Sequence, residues 1–149
     1  MTFTNPQQIK RYILDRCADA VEKAKEDIYD KLDMFLKLYY ADYEPVAGGY
    51  VRTGQLMRSL VMSDVKKTSN GYEAYVYFDF NKMNYVTGRQ PSGQQVVSAA
   101  AQGLHGATGL LTVGGNNMID IWGMPLSVLH HDFMPKLKQY LIESGIPVK

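Results

Sequence analysis

The sequence predicts an α+β fold: a long N-terminal helix and a C-terminal helix packed on a small, mainly antiparallel sheet. Three observations carry this. Apolar residues recur every three or four positions from residue 9 to residue 39, an Asn70-Gly71 pair separates two strand-like runs, and a second helical stripe starts near residue 126. At 149 residues the chain suits a single domain, 1–149, with one core.

The first helix is the clearest element. Ile9, Ile13, Cys17, Val21, Ala24, Ile28, Leu32, Phe35 and Tyr39 form one stripe at helical spacing. Asn5 suits the N-cap, Pro6 the first helical position, and Gln8 the third, where a capping box takes Glu or Gln. Asp19/Lys23, Asp27/Lys31 and Asp33/Lys37 each place an acid four residues before a base, the favourable order for a helical pair. The helix is expected from about residue 6 to about 40, roughly 50 Å at about 1.5 Å per residue. That length admits two readings: an ordinary packing helix, or one that projects beyond the core and offers a face to a neighbour.

Residues 41–59 form a motif loop. Pro45 and Gly48-Gly49 break the periodicity, and a short helical turn over 53–59 has Thr53 as its expected cap. A hairpin over 59–80 follows, with strands at 59–67 and 72–80 and the turn at 69–71. On the return strand, Tyr72, Ala74, Val76, Phe78 and Phe80 share the expected core face. Glu73, Tyr75, Tyr77 and Asp79 share the other, so Tyr75 and Tyr77 are candidate interface residues.

Residues 90–119 contain six glycines and no Asp, Glu, Lys or Arg. A short helix is expected at 94–102, with loops after it. A solvated surface normally interleaves charges, so the segment is either covered on assembly or tucked against its own sheet. Residues 118–122 read as a further strand. A terminal helix is expected over about 125–143, with Leu126, Leu129, Phe133, Leu137, Tyr140 and Leu141 as its stripe. Pro135 is expected to kink it, or to open a second helix capped by Asp132, and Gly145 and Pro147 to stop it.

Composition narrows the function. Hydrophobic residues at 46% and charged residues at 21% describe a globular chain. A net charge of +1 argues against a dedicated nucleic-acid binder and against a polybasic membrane-surface protein. The single cysteine, Cys17, excludes an internal disulfide and fits a reducing cytosol. The first residues lack the basic-then-apolar layout of a signal peptide, and no stretch approaches the roughly 20 apolar residues of a membrane span. Synthesis and folding in a cytoplasm are expected.

Catalytic signals are poor. Adjacent His130 and His131 on a helix point about 100° apart, a poor chelating geometry. Neither an H-E-x-x-H spacing nor a phosphate-loop lysine is present. Ser127, His131 and Asp132 resemble a triad only in composition, without a G-x-S-x-G context. Cys17 falls on the helix stripe, as a small apolar residue rather than a nucleophile. No enzymatic activity, cofactor or metal is expected.

The most distinctive stretch is Tyr50-Val51-Arg52-Thr53-Gly54-Gln55-Leu56-Met57-Arg58-Ser59. Physically it reads as a corner: Thr53 caps, Gly54 allows close approach, Leu56 buries, and Arg52 forks onto carbonyls or a carboxylate. The pattern Y-x-R-T-G-x-L-x-x-S, carried by Tyr50, Arg52, Thr53, Gly54, Leu56 and Ser59, resembles the hallmark of phage neck or tail-completion proteins. Gly103-Leu104-His105-Gly106 resembles a G-(I/L)-H-G element found downstream in such proteins. The resemblance covers nearly the whole chain and implies a structural virion protein, assembled in the bacterial host cytoplasm, that completes the tail and joins it to the head. It implies a homo-oligomeric ring, six- or twelve-fold, stacked on head–tail adaptor, tail-terminator or tail-tube proteins. DNA would pass through unbound, and no cofactor, catalytic residue or membrane would be involved. Two other classes remain open at this point: a small ligand- or protein-binding regulatory module using the tyrosine face, and a hydrolase using Ser127, His131 and Asp132.

Overall fold

The computed structural model describes residues 4–41, 53–84, 92–101 and 123–148. Helix α1 spans Pro6–Ala41. The Asn5 side chain accepts from the Gln8 N–H at 2.9 Å, as an N-cap should. The returning arm of the box closes one residue early, because the Gln8 side-chain oxygen Oε1 accepts from the Thr4 N–H at 2.9 Å and the Thr4 hydroxyl at 2.8 Å. Asn5→Ala should cost the helix about 1 kcal/mol. Hydrogen exchange should show this as faster exchange in the first turn alone; unchanged protection there would remove Asn5 from the cap.

The α1 stripe is covered over only part of its length. Ala20, Ala24, Leu32, Phe35, Leu36 and Tyr39 are buried, whereas Ile9 and Ile13 on the same stripe are each 43% exposed. Cys17, expected on the covered part, is half-buried. The core lies around the carboxyl half of α1, where Leu32, Leu36 and Tyr39 meet Leu56, Leu60, Phe78, Met83 and Ala100.

Helix α2, Gln55–Ser59, leads straight into strand β1, Leu60–Met62. Strand β2 (Lys66–Lys67), β3 (Tyr72–Glu73) and β4 (Val76–Phe78) complete the hairpin region. The expected continuous hairpin is instead two antiparallel ladders, β1 with β4 and β2 with β3. Their registers differ by one residue: Val61 faces Tyr77, yet Lys66 faces Glu73. Ser63 and Asp64 together oppose Tyr75, which makes a β-bulge. Ser63 N–H donates to the Tyr75 carbonyl at 2.9 Å, and the Ser63 hydroxyl accepts from the Tyr75 N–H at 2.9 Å. A side-chain oxygen thus replaces a backbone acceptor where the ladder breaks. At the tip, Thr68 N–H donates to Gly71 O at 2.8 Å, so Ser69-Asn70 is the central pair.

The return strand ends sooner than its alternation suggests. Asp79 caps a 3-10 turn at Phe80–Lys82 by accepting from the Asn81 N–H at 3.0 Å. Phe80 therefore leaves the core face and stands exposed. Helix α3 spans Gly93–Ala101, one residue earlier at each end than expected. Its start is a full capping box, in which Gln95 N–H donates to Ser92 Oγ at 3.2 Å and Ser92 N–H to the Gln95 side chain at 2.9 Å. Gly93 passes so close to Met83 and Phe80 that an added Cβ would lie 3.1–3.3 Å from their atoms. With Ala100 in the core, this described part of the uncharged segment tucks against its own domain. The remaining residues of that segment, and the strand expected at 118–122, lie outside the described residues.

Helix α4, Gly123–Glu143, is one helix containing Pro135 rather than a broken pair, so Asp132 lies inside it and caps nothing. Pro135 is exposed, on the side where water can take the carbonyl its missing N–H leaves unpaired. The helix ends in a Schellman turn: Ile146 N–H donates to Leu141 O at 2.8 Å and Gly145 N–H to Ile142 O at 2.9 Å, with Gly145 at φ +88°.

Helices α1 and α4 run antiparallel and share two ion pairs, Lys23–Glu143 at 3.0 Å and Asp27–Lys136 at 2.8 Å. Of the three expected pairs within α1, only Asp33–Lys37 forms; Asp19 takes Arg16 instead. Proximity of α4 redirects Lys23 and Asp27 outward from their own helix. Hydrogen bonds from Lys23 and Gln139 hold the Glu143 carboxyl below its ordinary range, and the hydrogen bond to Asp27 raises Lys136. A lowered carboxyl stabilises the fold above its unfolded pKa and loses that contribution as pH falls through the folded value. Acid unfolding should therefore weaken the α1–α4 contact, and Glu143→Gln should flatten the acid limb of a stability–pH curve. An identical limb in the variant would count against this pair. Lys136 acts oppositely, its contribution fading only as pH rises through its raised value.

The motif corner and the tyrosine face

Four members of the motif, Thr53, Gly54, Leu56 and Ser59, fall among the described residues; Tyr50 and Arg52 lie outside them, as do Gly103, Leu104, His105 and Gly106. The expected cap is displaced by one position. Gly54, not Thr53, is the N-cap of α2, in the left-handed region at φ +70°. Thr53 Oγ1 sits only 3.4 Å from the Gln55 nitrogen, a weak contact.

Arg52, the arginine expected to fork onto carbonyls or a carboxylate, lies outside the described residues; within them Arg58 makes a contact of that kind. Its backbone N–H donates to Gly54 O at 3.1 Å and its guanidinium to Thr53 O at 2.9 Å. A Cβ on Gly54 would lie 2.9 Å from Arg58 Nη1, so the missing side chain makes room for that hook. The signal was present in the sequence: an arginine one helical turn after a glycine cap can fold back on the cap's own carbonyls. Gln55 was also overlooked. Its side-chain amide pairs with the Asn84 backbone both ways, accepting from Asn84 N–H at 2.6 Å and donating to Asn84 O at 3.1 Å.

Leu56 and Ser59 seal the corner from inside. Both are buried, the Ser59 hydroxyl donating to Leu56 O at 2.6 Å while its carbonyl accepts from Asp79 N–H at 2.7 Å. The motif's described polar groups are thus engaged with backbone, tying α2, the hairpin exit and the 3-10 turn into one joint.

Tyr75 and Tyr77 stand 56% and 47% exposed on the outer face of the hairpin. The bulge brings Lys66, opposite Glu73, onto that same face. A hydrogen bond to the Glu73 carboxylate holds the Tyr75 phenol above its ordinary range.

The remaining chemical candidates do not converge. Ser127, His130, His131 and Asp132 are all exposed on α4, and the two imidazoles meet edge to face at 6.0 Å. Among the described residues no hydrogen bond joins Ser127, His131 and Asp132, and no three His, Cys, Asp or Glu side chains gather as a metal set. No described helix is long and apolar enough to cross a membrane.

A long helix, a bulged hairpin and a motif that fastens its own backbone belong here to a phage-related protein. A family model described as YomN, a phage-derived family of Bacillus prophage type, matches residues 5–120, and the chain belongs to that family. No curated protein and no solved structure matches the chain.

Proposed function

We propose that the chain is a structural virion subunit of a tailed phage or phage-tail-like particle, acting at the neck, where a ring of copies completes the tail and joins it to the head. The observation that carries this reading is the α1 stripe, which continues through Ile13 and Ile9 past the end of its own cover. An apolar stripe left open on a helix end suits a neighbouring protein layer. Membership of a phage-derived family and the motif's resemblance to neck proteins support the same assignment. A net charge of +1 is compatible with a ring that DNA crosses without being gripped.

In this role the subunit has no catalytic residue or cofactor, and its partners are copies of itself and the adaptor, tail-terminator or tail-tube proteins stacked beside it. The test is deletion of the coding sequence from an inducible prophage. Electron microscopy of the lysate should show filled heads and separate tails, with joined particles restored by the wild-type chain in trans. Complete, infectious particles without the chain would overturn the reading and favour a regulatory module.

A further inference from the structure

We propose that the ring contact is heterologous and specific: the amino-terminal turns of α1 from one copy seat on the tyrosine face of the next. This rests on the neck reading and assigns its self-contact. Two exposed surfaces complement each other in spacing and charge. On α1, Ile9 and Ile13 are one helical turn apart, about 6 Å. On the hairpin, Tyr75 and Tyr77 are two strand positions apart, about 6.7 Å. Both pairs are exposed. One pair of apolar knobs can therefore lie across the other without a change of pitch.

The flanks match in sign. Lys10 lies on one side of the Ile9–Ile13 stripe and Arg16, already paired with Asp19 at 3.2 Å, on the other, and the first three turns of α1 hold three basic residues against Asp15. Glu73 and Asp79 bracket the two tyrosines on the outer strand face, balanced there by Lys66. Opposite charge at the rim of an apolar contact guides register more than it adds affinity. The two surfaces differ from each other, so their union is head-to-tail and closes into a ring when the rotation permits. Tyrosine suits the receiving side, since it offers a large, stiff contact area.

The test places Ile13→Cys and Tyr77→Cys in separate, differently tagged chains carrying Cys17→Ser. A short bis-maleimide is applied to the free protein and to particles assembled from both. The expected result is a heterodimer band from the mixture, with each variant alone giving at least tenfold less dimer. Adding Tyr75→Asp to the Tyr77→Cys chain should lower the band about tenfold, and circular dichroism should show that chain folded. Efficient dimers from either variant alone would overturn the proposal in favour of a two-fold contact. Chain present in particles without the heterodimer band would overturn the contact and leave the neck reading standing. The band in free protein, with no chain in particles, would do the reverse.

Discussion

Leu36→Ala should destabilise the protein by about 2–5 kcal/mol, the range for emptying a fully packed aliphatic site. Leu36 is 0% exposed and sits where α1, α2 and the inner face of the hairpin meet, among Leu32, Leu56, Leu60 and Phe78. Removing its three outer carbons takes contacts from several elements together, and α1 cannot shift to close the gap without breaking its ties to α4. The same substitution at Ile9 should change stability by under about 0.5 kcal/mol, because that side chain already meets water. Urea unfolding checks both: a lower midpoint with unchanged slope is expected for Leu36→Ala, and equal midpoints for the two variants would contradict the assigned core.

Gly54→Ala should cost about 2–3 kcal/mol, from two sources. An L-residue held at φ +70° loses roughly 1–2 kcal/mol. The new methyl also displaces the Arg58 guanidinium from Thr53 O. The two parts separate in a double-mutant cycle. In an Arg58→Ala background, Gly54→Ala should retain only the backbone share, and Gly54→Asn should be milder because asparagine tolerates the left-handed region. Should Gly54→Ala cost the same with and without Arg58, the guanidinium hook would have no part in the corner.

The sequence made α1 legible almost to the residue, since 36 residues of one period leave little freedom for its ends. It located the hairpin and sorted its return strand correctly up to Phe78. The bulge was invisible because an extra residue in a ladder has no compositional mark; only pairing reveals it. The ion pairs were misassigned for a related reason. Spacing identifies which partners a helix offers itself, not that α4 lies near enough to take Lys23 and Asp27. The start of α3 was readable in Ser92 and Gln95 but hidden by the uncharged run around it. In the motif's described part, Leu56 and Ser59 seal the corner from inside, while further contacts come from Gln55 and Arg58, which the pattern leaves blank.

The offset between the two ladders gives the hairpin a tolerance to changes in length. Losing either Ser63 or Asp64 would leave Val61 across from Tyr77 and Lys66 across from Glu73, with Val65 still turned inward, so the two short ladders would fuse into one regular ribbon. Losing a single residue inside β3 or β4 would instead invert the tyrosine row and send Tyr75 or Tyr77 toward the core. Related chains that differ by one residue here should therefore carry the gap at 63–64. Those without the extra residue should present a flatter, less twisted outer face.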